Sequence, residues 1–201
     1  MARPRKFDED DVLDAAVRCF WSRGYEATSV RDLIGSTGIT AASLYNAYGD
    51  KRALFGAALD RYVEGTVSAR MQRCEALPPR EAIESFFDEI LRRSLHDREH
   101  KGCMLVNSAL EMAPHDPDFQ KNIAGVLQRL ERFFLECSKK GQAAGTITRA
   151  VAAESLAQHL LGVLVGVRVL ARVRPEPALL KGVVASALAL LGPATSAHAG
   201  L

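Results

Sequence analysis

The stretch TSVRDLIGSTGITAASLYNAYGDK, Thr28 to Lys51, decides how this chain folds. Its apolar residues fall three and four positions apart, the period of amphipathic helices, and Gly38 supplies a tight turn with no Cβ to strain it. Thr28 is positioned to cap a first short helix, with Asp32 four residues on in a near-capping-box arrangement, and the chain breaks at Gly35-Ser36-Thr37-Gly38. Thr40 caps a second helix, Ala41 to Tyr48, and Gly49-Asp50 ends it and caps the next. Val30, Leu33, Ile39 and Leu44 would tie this pair to the helix before it, so that the second short helix stands proud. That is a helix-turn-helix, and a helix so held fits the major groove of DNA.

Spacings of three and four apolar residues recur along the whole chain and no period-2 alternation persists, so the fold class is all-α. A first helix is expected from Asp8 to Arg23, with Asp8, Glu9, Asp10 and Asp11 at its positive end, Gly24 after its last turn, and Val12, Ala16, Cys19 and Phe20 facing inward. A fourth helix reaches from Asp50 toward Leu77, where Pro78-Pro79 stops it. Further helices are expected over 80–96, 102–112, 118–140, 149–172 and 175–191, nine in all. Asp116 and Pro117 take the N-cap and first positions of the 118–140 helix, and Gly141 to Gly145 close it. A Gly/Ala/Ser tail follows. The composition shifts near residue 50, which divides the chain into a DNA-reading domain, 1–50, and a regulatory and dimerisation domain, 51–201.

The quoted block strongly resembles the N-terminal domain of TetR/AcrR-type transcriptional repressors. The residues that carry the likeness are Gly24-Tyr25, Thr28-Ser29-Val30-Arg31-Asp32-Leu33, Thr37-Gly38-Ile39-Thr40, Ser43-Leu44-Tyr45, Tyr48-Gly49-Asp50-Lys51 and Leu54-Phe55. The likeness is close over residues 8 to 56. Beyond that it lies in helix number, length and order. Ile34 and Thr37 depart from it where Ala is common, as do Ala41 and Ala42 where Lys/Arg and Gly often stand. Alanine can touch a thymine methyl but cannot donate a hydrogen bond to guanine. Polar contact is therefore expected from Arg31, Ser43 and Asn46, with Thr40, Tyr45 and Lys51 holding the phosphate backbone. Arg3, Arg5 and Lys6, in an arm ahead of the first helix, would add phosphate or minor-groove contacts.

Charge does not force DNA binding on the molecule as a whole. The 26 Lys+Arg against 24 Asp+Glu leave only +2, so affinity must come from placement. Residues 1–56 hold eight basic and eight acidic residues, but five of the acids lie between Asp8 and Asp14, where they can point away from the groove.

In the second part, Ser155, His159, Gly162 and Gly166 with Gly182, Ser186 and Ala189 form stripes of small residues on the last two helices. Such stripes let backbones approach closely, either across a four-helix bundle made by two chains through 149–172 and 175–191 or in an intrachain crossing. The resemblance implies the homodimer. The segment KGCMLVNSALEMAPHDPDF, Lys101 to Phe119, carries a Gly-Cys-apolar-Asn pattern found in some TetR-type branches. Cys103, at a helix start beside Lys101, reads either as a thiolate-prone sensor or as a small buried hydrophobe. Asn107, Phe87, Phe133 and His159 are the other candidates for an effector site. Gln158 joins Asn107 and His159 as a polar group within apolar stretches. His96 and His100, with Cys103 or His115 nearby, have a spacing that could ligate a metal, and solvated helix ends account for them more simply.

The four cysteines, Cys19, Cys74, Cys103 and Cys137, form no C-x-x-C pair, and free thiols point to a reducing compartment. The N-terminus turns acidic without an apolar stretch, which together with the thiols implies a cytoplasmic protein. The longest apolar run, Leu160 to Val167, is eight residues, far short of the roughly 20 that span a bilayer. No Walker loop, dinucleotide-binding glycine turn, H-E-x-x-H or nucleophile elbow is present, so no catalytic residue, metal or cofactor is assigned. The expected function is a homodimeric repressor that leaves double-stranded operator DNA when a small-molecule effector binds or a thiol is modified. The rival from another class is a helical carrier or enzyme with a non-functional N-terminal motif.

Overall fold

The computed structural model describes residues 8–192, so the basic arm at Arg3, Arg5 and Lys6 and the Gly/Ala/Ser tail lie outside the described residues. Among the described residues every regular element is helical: α1 (Glu9–Arg23), α2 (Val30–Thr37), α3 (Ala41–Tyr48), α4 (Lys51–Tyr62), a π-helical segment (Val63–Ser68), α5 (Ala69–Glu75), α6 (Pro79–His96), α7 (Met104–Glu111), α8 (Pro117–Ala143), α9 (Ala153–Val173) and α10 (Pro177–Ala189). Residues 51–75 run as one helical path, so the rods among the described residues number nine, as the periodicity predicts. The chain divides into two compact units, Met1–Val67 with Cys103–Ile123, and Ser68–Gly102 with Ala124–Leu201.

In the first unit, α1 is capped as its sequence dictates, with the Asp8 carboxylate accepting from Asp10 N–H at 2.9 Å. Val12, Ala15, Ala16, Cys19 and Phe20 are buried. Phe55 of α4 lies at the centre of an aromatic cluster, edge-on to Phe20 at 4.9 Å, Tyr25 at 5.0 Å and Phe119 at 5.3 Å. Pairs of this kind contribute about 0.5–1.5 kcal/mol each beyond their buried area. Phe119 comes from the start of α8, so the returning segment 103–123 completes the core around the N-terminal helices.

The structure corrects two expectations in the first half of the chain, and in the second half it starts α9 at Ala153, four residues later than expected. Ser29, not Thr28, is the N-cap of α2, and the box is complete: Ser29 Oγ accepts from Asp32 N–H at 3.1 Å and Asp32 accepts from Ser29 N–H at 2.9 Å. Reciprocal bonding needs the acid three residues on. Thr28 is instead fully buried and donates to the Gly24 carbonyl at 2.6 Å. The helix after Asp50 is not uniform either. Gly65 lowers local propensity and Thr66 Oγ1 donates back to the Tyr62 carbonyl at 2.6 Å, which favours the wider π turn at Val63–Ser68.

The core of the second unit is a four-phenylalanine cluster. Phe86 meets Phe133 at 5.5 Å and Phe134 at 5.2 Å, and Phe87 stacks on Phe134 at 5.7 Å. Leu156, Leu160, Leu164 and Val167 of α9 and Leu180 and Val184 of α10 are buried in the same unit. α9 is long and apolar enough, by length and composition alone, to cross a bilayer. Here its inward face is part of the core and carries the buried Arg168, which donates to Ser94 Oγ at 2.9 Å and to the Gly102 carbonyl at 2.8 Å. α8 continues past Gly141, whose missing side chain makes room for Ile147; a Cβ there would lie 2.5 Å from Ile147 Cδ1.

Candidate nucleic-acid interface

The geometry of residues 28–51 follows from three caps and one turn. Gly38 adopts φ +71° and closes α2 by donating to the Ile34 carbonyl at 3.0 Å, a conformation that glycine reaches without steric cost. Ile39 is buried just after the turn. Thr40 Oγ1 then accepts from Ser43 N–H at 3.1 Å and donates to Ser43 Oγ at 3.0 Å, starting α3. Within α3, Leu44 is the buried side chain, 0% exposed. An eight-residue helix is too short to hold itself in water, so Leu44 and the caps set its position.

This anchoring leaves the opposite face open. Thr40, Ala42, Tyr45 and Asn46 are exposed, Tyr45 at 46%, while Ala41 and Ser43 are half-buried. Ala42, Tyr45 and Asn46 lie at i, i+3 and i+4, one helical face. Arg31 on α2 is exposed and makes no ion pair among the described residues. The Lys51 ammonium lies 4.2 Å from the centroid of the Tyr25 ring, a cation–π contact that holds this charge near the start of α4. Burial, reinforced by the charges of Glu26 and Asp50, raises the Tyr25 phenol above its ordinary value, so that ring faces Lys51 uncharged.

The acids of α1 are engaged elsewhere: Asp14 accepts from Arg61 of α4 at 2.9 Å and Asp10 from the same guanidinium. Arg52, the residue after Lys51, is also committed, to Asp116 at 2.6 Å and Asp118 at 2.9 Å. Sequence reasoning missed this clamp, and also Glu111 of α7, whose carboxylate accepts from Tyr25 N–H at 3.0 Å and Glu26 N–H at 2.8 Å. Their separations of 64 to 86 positions leave no trace in local spacing.

The candidate effector residues fall into separate places. Cys103 is buried in the first unit, at the N-cap position of α7 without capping it, and its sulfur accepts from the Tyr62 hydroxyl at 3.6 Å. Lys101 is paired with Glu99 at 2.6 Å. Asn107 lies one helical turn on from Cys103, half-buried. Phe87 is 0% exposed inside the second unit, whereas Phe133 reaches the floor of a groove of about 390 Å³ there. Met71, Ala82 and Cys137 are its other buried lining residues, and the exposed Leu77, Arg129, Arg132 and Lys140 line it with Glu75 and Glu136. Burial pushes the Cys137 thiol up to about 11, so it is a neutral, apolar lining group at physiological pH. Periodicity alone does not single out this groove, because Met71 and Cys137 read as ordinary core positions. His159 is exposed on α9, as are Ser155, Gln158 and Gly162. The described residues contain no group of three His, Cys, Asp or Glu able to hold a metal ion, and His96 Nδ1 lies 2.7 Å from the Arg92 carbonyl.

Residues 12–58 match the family profile described as bacterial regulatory proteins, tetR family, and residues 79–187 match the tetracyclin repressor-like C-terminal domain. The chain is 31% identical over 172 residues to the HTH-type transcriptional repressor ComR of Escherichia coli (strain K12), covering 85% of this chain and 82% of that one. It is 39% identical over 135 residues to the uncharacterized HTH-type transcriptional regulator YezE of Bacillus subtilis (strain 168), covering 67% and 70%. Among solved structures, it is similar to a cysteine mutant of the TetR family transcriptional regulator CifR complexed with 26bp double-strand operator DNA, at 32% identity and a TM-score of 0.82, over 93% of this chain and 98% of that one.

Proposed function

This chain belongs to the tetR family of bacterial regulatory proteins, and on that footing we propose that it is a cytoplasmic, homodimeric repressor released from operator DNA by a small-molecule effector. It is a DNA-binding transcriptional regulator and not an enzyme. The observation that carries the proposal is α3: Leu44 fixes it from within, and Ala42, Tyr45 and Asn46 face outward in one row. Ala41 and Ala42 would meet thymine methyls, Ser43, Asn46 and Arg31 base edges or sugar, and Thr40, Tyr45 and Lys51 phosphates. The functional division at residue 50 belongs to the same proposal, since it separates the residues that read DNA from those that respond and pair.

Pairing is proposed through α9 and α10. Ser155, His159 and Gly162 are exposed, as are Gly182, Ser186 and Ala189, and a Cβ added at Gly162, Gly166 or Gly182 would meet open space out to 4 Å. Val173 at 66% and Leu190 at 44% exposure add apolar area. A second copy against this face would give two α3 helices, and half-sites about 34 Å apart meet successive major grooves.

The groove lined by Phe133 and Cys137 suits an amphipathic effector, its apolar part on Met71 and Phe133 and its polar part beside the exposed charged residues that line it. Such a ligand weakens operator binding only by its differential affinity for the two conformations. A titration with duplex DNA tests the proposal. Sequence-selective binding whose affinity falls steeply and linearly with log salt is expected; salt-insensitive or absent binding would favour a helical carrier.

A further inference from the structure

We infer that Glu111, at the C-terminal end of α7, is a positioning residue for DNA reading: its carboxylate holds the turn that joins α1 to α2. The inference rests on the repressor reading and goes beyond it by assigning a role to a residue far from α3 in sequence. One carboxylate takes two consecutive turn amides, Tyr25 N–H on Oε2 at 3.0 Å and Glu26 N–H on Oε1 at 2.8 Å. These amides precede the Ser29 cap of α2, so no helical ladder serves them and the carboxylate is their acceptor. The turn is shaped to receive the acid. Gly24 has φ +87°, and a Cβ there would lie 2.9 Å from Glu111 Oε2. Charge-assisted bonds of this kind are about twice as strong as neutral ones.

A second clamp from the same segment grips the start of α4, just after the reading helices. Asp116 and Asp118, at the start of α8, hold Arg52 at 2.6 and 2.9 Å, and Arg52 follows the cap that ends α3 and begins α4. Segment 103–123 therefore fastens to the DNA-reading helices at two points, the entrance to α2 and the exit from α3. Gly102, the residue that leads into α7, is itself gripped through its carbonyl by Arg168 at 2.8 Å. A shift of α7 along its axis would have to break the carboxylate grip or carry the turn with it.

The test compares wild type with Glu111→Gln, which is isosteric and keeps one acceptor oxygen, and Glu111→Ala. Amide exchange of the free protein reads the clamp, and the duplex that wild type enriches from a randomised pool reads its consequence. Exchange at Tyr25 and Glu26 should quicken by about tenfold or more in Glu111→Ala, as expected for lost bonds to a charged acceptor, and by less in Glu111→Gln. Amides of α9 should be unchanged, and operator affinity should fall in the same order. Unchanged exchange at Tyr25 and Glu26 would overturn the clamp. Quickened exchange with undiminished operator affinity would overturn its role in DNA reading. If wild type enriches no duplex, the repressor reading fails, while the exchange measurement still decides the clamp.

Discussion

Replacing Leu44 with Ala should detach the recognition helix while leaving the rest of the fold in place. Leu44 is 0% exposed and is the buried side chain of α3. The substitution removes three carbons, about 2.4 kcal/mol at roughly 0.8 kcal/mol each, and the residual cavity carries the total toward about 3–5 kcal/mol. Against this, α3 has eight residues, and helices shorter than about 12 residues are marginal in water on their own. Its Thr40 cap contributes only about 1 kcal/mol. The loss exceeds what remains to hold α3, so the expected result is local melting. Native-state amide exchange measures it at Leu44 N–H, bonded to the Thr40 carbonyl at 2.9 Å, and at Gly49 N–H, bonded to the Tyr45 carbonyl at 2.8 Å. Protection there should drop by roughly a hundredfold, the factor for about 3 kcal/mol, with α6 and α9 amides unaffected and DNA binding abolished. Wild-type protection in α3 together with wild-type DNA affinity would show that Leu44 does not anchor the helix.

Tyr45→Ala should weaken binding to all duplexes by a similar factor, measured by titrating matched and scrambled sequences; loss confined to one sequence would mean Tyr45 reads a base and not the backbone. Cys103→Ser should leave operator affinity intact and abolish any release by an oxidant, and release that persists in the variant would remove Cys103 from the response. The hydrogen bonds from Arg52 hold the Asp116 carboxyl down at about 2. A folded pKa below the ordinary carboxylate value means that the pair contributes fully above about pH 4 and is lost only as pH falls through about 2. A carboxyl titration by NMR should show this low midpoint, returning toward about 3.9 in Arg52→Met; an ordinary midpoint in wild type would contradict the clamp.

The helical rods and their order were legible because capping and period are local. Thr40, Asp50 and Asp116 each cap the helix that their neighbours imply, while Asp8, expected inside the first helix, is its N-cap. What local signals missed was decided by distant contacts. Thr28 looks like a cap, but its hydroxyl is consumed by the Gly24 carbonyl in a buried turn, and Ser29 takes its place. The last long helix pair starts late, α9 at Ala153, because residues 146–151 are held by Ile147 seated on Gly141, Thr148 N–H bonded to the Leu191 carbonyl at 2.9 Å, and Gln142 reaching Val151 at 2.8 Å. The anchor of α3 was readable for the same reason as the rods, since Leu44 has the apolar spacing that ties the helix inward, and it is the buried side chain of α3. The Glu111 and Asp116 grips were not readable, and of the groove only Phe133 was, because each joins residues tens of positions apart.

On the proposed function, α3 enters the major groove as one of a symmetric pair. Methylation interference on an enriched duplex tests it most directly, since dimethyl sulfate marks guanine N7 on the major-groove edge. Two clusters of interfering guanines are expected, about one helical turn apart, related by two-fold symmetry and bound by two chains. A single cluster bound by one chain, or retarded complexes indifferent to N7 methylation, would contradict it.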